Sequence, residues 1–415
     1  MTSLAQPKRN QEMRLAKNQL AGAVLDLYRP PTAAPLWKNP GWRPGRQSAA
    51  SRERIAFARP RSTEVPAKPA EAPCSHPTDQ LKALFPAKDF ITGHGFQIAH
   101  CAACGLNVTT PQPGVIEMAD YYPHGYYGDS TERRFPKLVE SMQQALYGRR
   151  VRQVESLRGG TPGRVLDVGC GRGVLLQEFR RAGWDVQGTE LSDQAAVYAR
   201  DVLKLPVEIG SLESIGFPAS HFDAITLWHV LEHVADPHAL LMEANRILKP
   251  GGVLLISVPN FGGCEARLFK DKWFHLDVPR HVTHLTKSRL QGVLAATGFQ
   301  DRRWSGFAPE YDAFSFVQSC LNRCGLCHNL LYNLLRGKQA KVIAGERTPR
   351  WQVLASVLLG AAFGVLSLPV TFCAGLVGSA GTMTVLGVKR AETTARSKSL
   401  WEVISSWALK RSAQT

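Results

Sequence analysis

Half of the chain's 12 histidines gather in or beside two short segments: His229, His233 and His238 in one, His275, His281 and His284 in the other. Carboxylates accompany them, Glu232 in the first and Asp277 in the second, and Arg280 stands between. Imidazoles titrate near neutral pH, so such a cluster suits the removal of a proton from a nucleophile and its return to water. His229, Glu232 and His233 fall at i, i+3 and i+4, which puts all three on one face of a helical turn.

Loops of this kind need a scaffold, and the segment before them supplies one. Arg164-Val165-Leu166-Asp167-Val168 reads as a buried strand that runs into Gly169-Cys170-Gly171-Arg172-Gly173 and then into a helical pattern. After a parallel strand, closely spaced glycines let the backbone approach a ligand at the carboxyl edge of the sheet. A pyrophosphate site would show Gly-x-Gly-x-x-Gly. Here the spacing is Gly-x-Gly-x-Gly, and Asp167 directly before the turn would repel a phosphate and suit an amine or hydroxyl. Glu190 closes the next apolar run about 20 residues on, where a carboxylate accepts ribose hydroxyl protons. A nucleoside without phosphates is the ligand these residues describe; on the bare strand-turn-acid pattern, a dinucleotide-binding dehydrogenase domain is the competing reading.

Two further landmarks follow in order. Phe222 to Val234 reads as a fourth strand with its following loop, and Ile247 to Asn260 as a helix end, a Pro-Gly turn and a fifth strand. With Asp-x-Gly-x-Gly-x-Gly ahead of them, they make the chain from about Pro162 to Arg390 resemble the class I S-adenosylmethionine-dependent methyltransferases. The resemblance implies an α/β fold with a doubly wound, seven-stranded, Rossmann-like sheet. It implies Asp167, Gly169 and Gly171 around the methionine part of S-adenosylmethionine, with Gly173 completing the turn, and Glu190 on the ribose. After the third strand, Val207-Glu208-Ile209, many relatives place an Asp for the adenine amino group. This chain has Gly210-Ser211-Leu212, so Ser211 as a weaker acceptor and Leu212 as an apolar contact take its place. The reaction implied is methyl transfer to oxygen or nitrogen of a small-molecule, lipid-linked, quinone-like or glycan acceptor. Alternatives are a soluble sugar or secondary-metabolite methyltransferase and a non-catalytic membrane scaffold that keeps the fold. Trp273 to His281 resembles a substrate-side lid, and His281 is the expected base, with His233 and His275 behind it.

Ahead of this region lie Cys74-Ser75-His76 and Cys101-Ala102-Ala103-Cys104-Gly105. The gap between Cys101 and Cys104 is that of a zinc knuckle, in which two thiolates reach one tetrahedral ion. Bacterial methyltransferases of this type often begin with a four-cysteine ribbon. The resemblance implies a degenerate ribbon over 71–130 with Cys74, His76, Cys101 and Cys104 as ligands of a structural zinc, His76 standing where a cysteine would be. Cys320, Cys324 and Cys327 mimic iron–sulfur and haem motifs, but the position behind a complete cofactor pattern favours an amphipathic helix around 314–335 in which they are small apolar residues.

The formal charge is +16, but residues 1–68 alone carry 13 Lys or Arg against 4 acids. A Pro- and Arg-rich segment of that kind reads as a disordered basic arm over 1–70, and it gives no ground for a specific nucleic-acid partner. No apolar run follows Met1, so a secretory signal is not expected, and nine cysteines fit a reducing compartment. The expected core occupies 131–350. From Trp351 to Val388 there is no charged residue. Residues 351–380 are long enough to cross a bilayer, yet 381–390 reads as the last strand of the sheet, and basic residues flank both ends. A helical hairpin bent near Pro369 and lying in the membrane is expected, giving a cytoplasmic protein held peripherally on the inner face, with a tail over 391–415.

Overall fold

The computed structural model of the chain describes residues 74, 76–122, 137–309, 311–336 and 348–390. The arm expected at 1–70, the tail expected at 391–415 and the remainder of the ribbon segment beyond residue 122 lie outside the described residues. Three strands open the described chain: β1 (Leu81–Lys88), β2 (Gly95–Cys101) and β3 (Asn107–Thr110). Then come α1 (Lys137–Leu157), β4 (Arg164–Val168), α2 (Val174–Arg181), β5 (Asp185–Glu190), α3 (Asp193–Val197), β6 (Val207–Ile209) and β7 (Phe222–Trp228). They are followed by α4 (Pro237–Ile247), β8 (Leu248–Pro259), α5 (Cys264–Phe269), β9 (Thr283–His284), α6 (Lys287–Ala296) and β10 (Phe299–Ser305). Last are α7 (Asp312–Arg323), α8 (Leu330–Leu335), α9 (Arg350–Leu376) and β11 (Thr382–Lys389).

Seven strands form one sheet in the order β10-β11-β8-β7-β4-β5-β6, and this is the doubly wound α/β sheet expected from the sequence. β4, β5, β6, β7 and β8 run parallel, while β11 enters antiparallel between β8 and β10. Helices cover both faces, so the central strands are buried on both sides and read as continuous apolar runs rather than alternating ones. Neighbouring residues serve opposite faces. Leu166, Ile225, Leu227 and Ile256 pack with Leu240, Leu241 and Leu290 on one side. Val165, Ala224, Val253 and Leu255 pack with Val154, Leu175 and Phe179 on the other. Local chemistry sets the boundaries: Pro237 begins α4 and Asp236 caps it, its carboxylate accepting the N–H groups of His238 and Ala239 at 3.0 Å each. The Pro-Gly turn is taken into β8 as an irregularity, since Phe222 pairs with Leu248 and Ala224 with Val253.

The second sheet, β1-β2-β3-β9, joins the N-terminal segment to the core. β9 comes from the loop after β8 and pairs Thr283 with Val108 and His284 with Asn107. The segment 71–130 therefore shares a sheet with residues of the expected core. Arg280, fully buried, fastens the junction. Its guanidinium donates to Asp89 Oδ1 at 2.8 Å, to the Tyr121 carbonyl at 2.9 Å and to Asp277 Oδ1 at 2.8 Å, above the Phe90 ring.

Two expectations about helices are corrected. Residues 350–376 form one continuous helix of 27 residues, not a hairpin, and Pro369 lies inside it. A proline removes one hydrogen bond and costs about 3 kcal/mol, which the rest of a long apolar helix outweighs. The amphipathic segment around 314–335 is two helices, α7 and α8, because Gly325 takes φ +80° just after Cys324 and ends the first.

Removing Arg280 leaves Asp89 and Asp277 without their cation in a dry site. Arg280→Leu is expected to lower stability by about 3–5 kcal/mol in urea titration. Combined with Asp89→Ala it should cost markedly less than the two single losses added together.

Candidate active site and metal knuckle

The strand order reverses between β4 and β7, and in open α/β sheets ligands bind in the crevice this leaves at the carboxyl edge. Asp167 and Thr226 are register partners across that point, and the Thr226 hydroxyl donates to Asp167 Oδ1. Burial pushes the Asp167 carboxyl up to about 7; the Thr226 hydrogen bond opposes this and the nearby Glu190 adds to it. A buried carboxyl of this kind is poised to take a cation and release its proton as it does so.

The three glycines of the turn all have positive φ, but for different reasons. A Cβ on Gly169 would meet Val230 at 2.8 Å, and one on Gly173 would meet Leu205 at 2.6 Å and Ala199 at 2.9 Å. A Cβ on Gly171 would point into open space. Two glycines thus pack the turn against its neighbours, and the third presents bare backbone to the crevice. Glu190 holds the turn from the other side, accepting the Gly171 N–H at 2.9 Å on Oε2 and the Leu191 and Ser192 N–H groups at 2.8 and 3.1 Å on Oε1. Burial raises its pKa while these backbone bonds oppose the rise.

At the expected adenine end the structure differs from the sequence reading. Ser211 caps the short helix Leu212–Ile215, its hydroxyl accepting the Ser214 N–H at 3.2 Å. Leu212 is 2% exposed and belongs to the core beneath the sheet, so it offers no face to a ligand. The apolar side chains left open here are Leu191, 53% exposed directly after Glu190, and Ile209, 40% exposed at the end of β6. Their signal in the sequence is a large apolar residue at the carboxyl end of a strand, where a core residue is not needed.

The two histidine segments converge on Glu232, which is 2% exposed. His229 follows β7 directly, and its Nδ1 lies 2.9 Å from Glu232 Oε1. His233 and His281 each bring a ring nitrogen close to the same carboxylate, within 4.8 Å of it and of one another. Burial alone would raise the Glu232 carboxyl, but the hydrogen bond with His229 and the fields of His229, His233 and His281 hold it at about 2. His233 Nδ1 bonds the Arg280 carbonyl at 3.0 Å, and His281 Nδ1 bonds the His275 carbonyl at 2.8 Å. Burial, joined by neighbouring imidazoles, brings His281 down to about 4 and His275 down to about 3. These two are buried and His233 is the open one of the three expected bases. Aromatic residues wall the site. Tyr311 lies 4.6 Å from the His229 ring, its hydroxyl accepts the Trp228 indole N–H at 2.9 Å, and it meets the Tyr147 hydroxyl at 3.0 Å. Tyr147 on α1 and Tyr311 before α7 carry no motif, and only folding brings them here.

Cys74, His76, Cys101 and Cys104 come together in the structure. Cys74 Sγ lies 3.7 Å from Cys101 Sγ, and Cys104 Sγ lies 3.5 Å from His76 Nδ1. The turn closes through the Gly105 N–H, which donates to the Cys101 carbonyl at 2.7 Å with Gly105 at φ +73°. Burial would raise the Cys101 thiol, but hydrogen bonds from His76 and from backbone N–H groups bring it down to about 6. Burial and the adjacent thiols push Cys104 up. Cys320, Cys324 and Cys327 form no such group among the described residues.

Several known proteins are similar to this chain. A family model described as a methyltransferase domain matches residues 138–303, from α1 through most of β10. The chain is 34% identical over 122 residues to a ubiquinone biosynthesis O-methyltransferase of Bordetella avium, covering 27% of this chain and 49% of that protein. The protein of the same name from Alkalilimnicola ehrlichii is 36% identical over 118 residues, covering 27% and 48%. The chain thus spans about half the length of the curated relatives it matches. Among solved structures, a phosphoethanolamine N-methyltransferase of Haemonchus contortus in complex with S-adenosylmethionine aligns at 17% identity with a TM-score of 0.39, covering 58% of this chain and 52% of that one. Residues 138–303, which carry the glycine turn, the acid at the end of β5 and the switch point that they flank, are thus those of a methyltransferase domain.

Proposed function

We propose that this chain transfers a methyl group from S-adenosylmethionine to oxygen or nitrogen of a quinone-like, lipid-linked or glycan acceptor presented at a membrane surface. The buried Asp167 beside the bare backbone of Gly171 is the observation that carries the reading. When bound, S-adenosylmethionine supplies a sulfonium methyl group open to in-line attack. Asp167 then faces its cationic amino-acid end, Glu190 can exchange a backbone bond for the ribose hydroxyls, and Leu191 and Ile209 offer apolar surface to the base. The curated relatives are named for ubiquinone biosynthesis, which favours a quinone-like acceptor.

The membrane part of the reading rests on α9, the one helix among the described residues that is long and apolar enough to cross a bilayer. Its small and polar residues face inward: Ser356, Gly360, Ser367 and Thr371 are buried, and a Cβ on Gly360 would meet Leu331 of α8 at 2.9 Å. Its large residues face outward, Leu354, Leu358 and Val365 being 61%, 61% and 78% exposed. β11 follows at once and returns to the sheet between β8 and β10. A helix with one face seated on the domain and its other face bare and apolar suits partial insertion, parallel to the inner surface of the cytoplasmic membrane.

A structural zinc ion fits Cys74, His76, Cys101 and Cys104. Zinc bonds of about 2.3 Å to sulfur and about 2.0–2.1 Å to nitrogen make tetrahedron edges of about 3.8 Å between sulfurs and about 3.5 Å between sulfur and nitrogen. The separations of 3.7 and 3.5 Å match these edges.

Four outcomes follow. Wild-type protein should move labelled methyl from S-adenosylmethionine into the organic phase of a membrane extract, and Asp167→Ala should abolish transfer; cofactor binding without label in any fraction would leave only a scaffold. Because cation binding must expel the Asp167 proton below about pH 7, calorimetric affinity for S-adenosylmethionine should weaken as pH falls through that value, by up to about tenfold per unit, and Asp167→Asn should flatten the dependence. Metal analysis should find about one equivalent of zinc in the full chain, reduced by His76→Ala, whereas less than about a tenth of an equivalent would sink the site. For α9, the pair Leu358→Glu and Val365→Lys should move the protein from the membrane pellet to the soluble fraction at unchanged cofactor affinity.

A further inference from the structure

We propose that His229 is the catalytic base and Glu232 its positioning residue, and that the acceptor atom is therefore a hydroxyl oxygen. The inference rests on the methyl-transfer reading above and narrows its acceptor. His229 stands one residue beyond β7, at the switch point, and the next residue, Val230, is the side chain that packs against Gly169 of the glycine turn. The loop that carries His229 is thus fastened to the turn that would face the cofactor.

Its backbone is held in a conformation that favours glycine, with φ +56°. A left-handed histidine is strained and persists only where the surroundings impose it. Here the His229 N–H donates to the Ser257 carbonyl of β8 at 2.9 Å, and its ring is tied to Glu232. An ionised carboxylate can only accept, so the bond at 2.9 Å places the ring proton on Nδ1 and leaves a lone pair on Nε2. That Nε2 atom is buried and has no hydrogen-bond partner among the described residues. Leaving a buried acceptor atom unmet is unfavourable, a penalty that a hydroxyl of the methyl acceptor would remove.

The surroundings suit this role. The hydrogen bond with His229 outweighs burial and holds Glu232 well below the usual carboxylate range, and Glu232 can stabilise the imidazolium that forms when Nε2 takes a proton. The Tyr311 ring, 4.6 Å away, the His275 ring, 6.3 Å away and nearly parallel, and the Trp228 ring, 6.1 Å away, form flat walls fit for a ring-shaped acceptor. His281, by contrast, is oriented by a backbone carbonyl and turns its ring edge-on to His233 at 4.7 Å. A neutral amine already has a free lone pair, whereas a hydroxyl attacks well only as its proton leaves, so an aligned carboxylate–imidazole pair is of most use to a hydroxyl. In the step, the hydroxyl proton passes to His229 Nε2 as its oxygen bonds the methyl carbon. The carbon–sulfur bond breaks with its electron pair on sulfur, giving a methyl ether and S-adenosylhomocysteine, and the imidazolium returns its proton to water.

The test uses the full chain and three readouts. Labelled-methyl transfer into membrane lipid extract should fall about 100- to 10,000-fold in His229→Ala and in the closer-sized His229→Gln, while S-adenosylhomocysteine binding by calorimetry stays within about threefold. Glu232→Gln should lower kcat more than it raises KM, and Glu232→Asp should recover part of the loss. Nitrogen-15 spectra should show His229 protonated on Nδ1 in wild type and not in Glu232→Gln. Full activity in His229→Ala beside an active wild type overturns the base while the methyl-transfer reading stands. A wild type that transfers no label overturns that reading, and the ring spectra still decide the pair: a His229 proton on Nε2 overturns it.

Discussion

One guanidinium, withdrawn from water, ties together the parts of this molecule that sequence separates. Arg280 pairs with Asp89 of the loop between β1 and β2, with Asp277 of its own loop and with the Tyr121 carbonyl, and it lies above Phe90. A buried cation is tolerated only when its donors are met, so the N-terminal sheet and the loop after β8 must keep one relative position. That position is passed on through the backbone. The Arg280 carbonyl holds the His233 ring, the His281 carbonyl accepts the Thr109 hydroxyl at 2.7 Å, and the Val282 N–H donates to the Glu232 carbonyl at 2.9 Å. The histidine cluster is thus as fixed as the junction behind it.

Three carboxylates at the carboxyl edge of one sheet are treated in different ways. Asp167 is carried up to about 7 by burial with only a threonine hydroxyl against it. Glu190 is also raised, but three backbone N–H groups accompany its charge. Glu232, as buried as Asp167, is held at about 2 because the hydrogen bond with His229 and the neighbouring imidazoles outweigh burial. Carboxyl groups pushed apart in this way are suited to different tasks.

The late apolar segment is built into the fold rather than appended to it. Gly360 lets α9 approach α8 closely, and the turn after α9 is held by the Asn260 side chain, whose amide donates to the Ala380 carbonyl at 3.1 Å. β11 then fills the place between β8 and β10, so the sheet cannot close unless the apolar helix has been laid down first in the chain. The knuckle stands on β2, whose last residue is Cys101. Both accessory features therefore reach the site through strands, and their geometry is coupled to the core.

Much of the architecture was legible from residues alone. The strand-turn-helix around Asp167, the acid at Glu190, the fourth and fifth strands and the final strand were readable because buried strands and glycine turns leave local patterns of apolarity and backbone freedom. The pairing of Cys101 with Cys104 was readable for the same reason, since both lie on one turn. Contacts made across the chain leave no local pattern. That Leu212 serves the core while Leu191 faces solvent, that Tyr147 and Tyr311 meet beside Trp228, and that α9 runs straight through Pro369 were decided by packing. So was the choice among the histidines: composition and spacing assembled the cluster, but which imidazole receives a carboxylate on one nitrogen and nothing on the other is set only when β7, β8 and the Arg280 loop close around Glu232, because a hydrogen bond depends on distance and direction that sequence order does not contain.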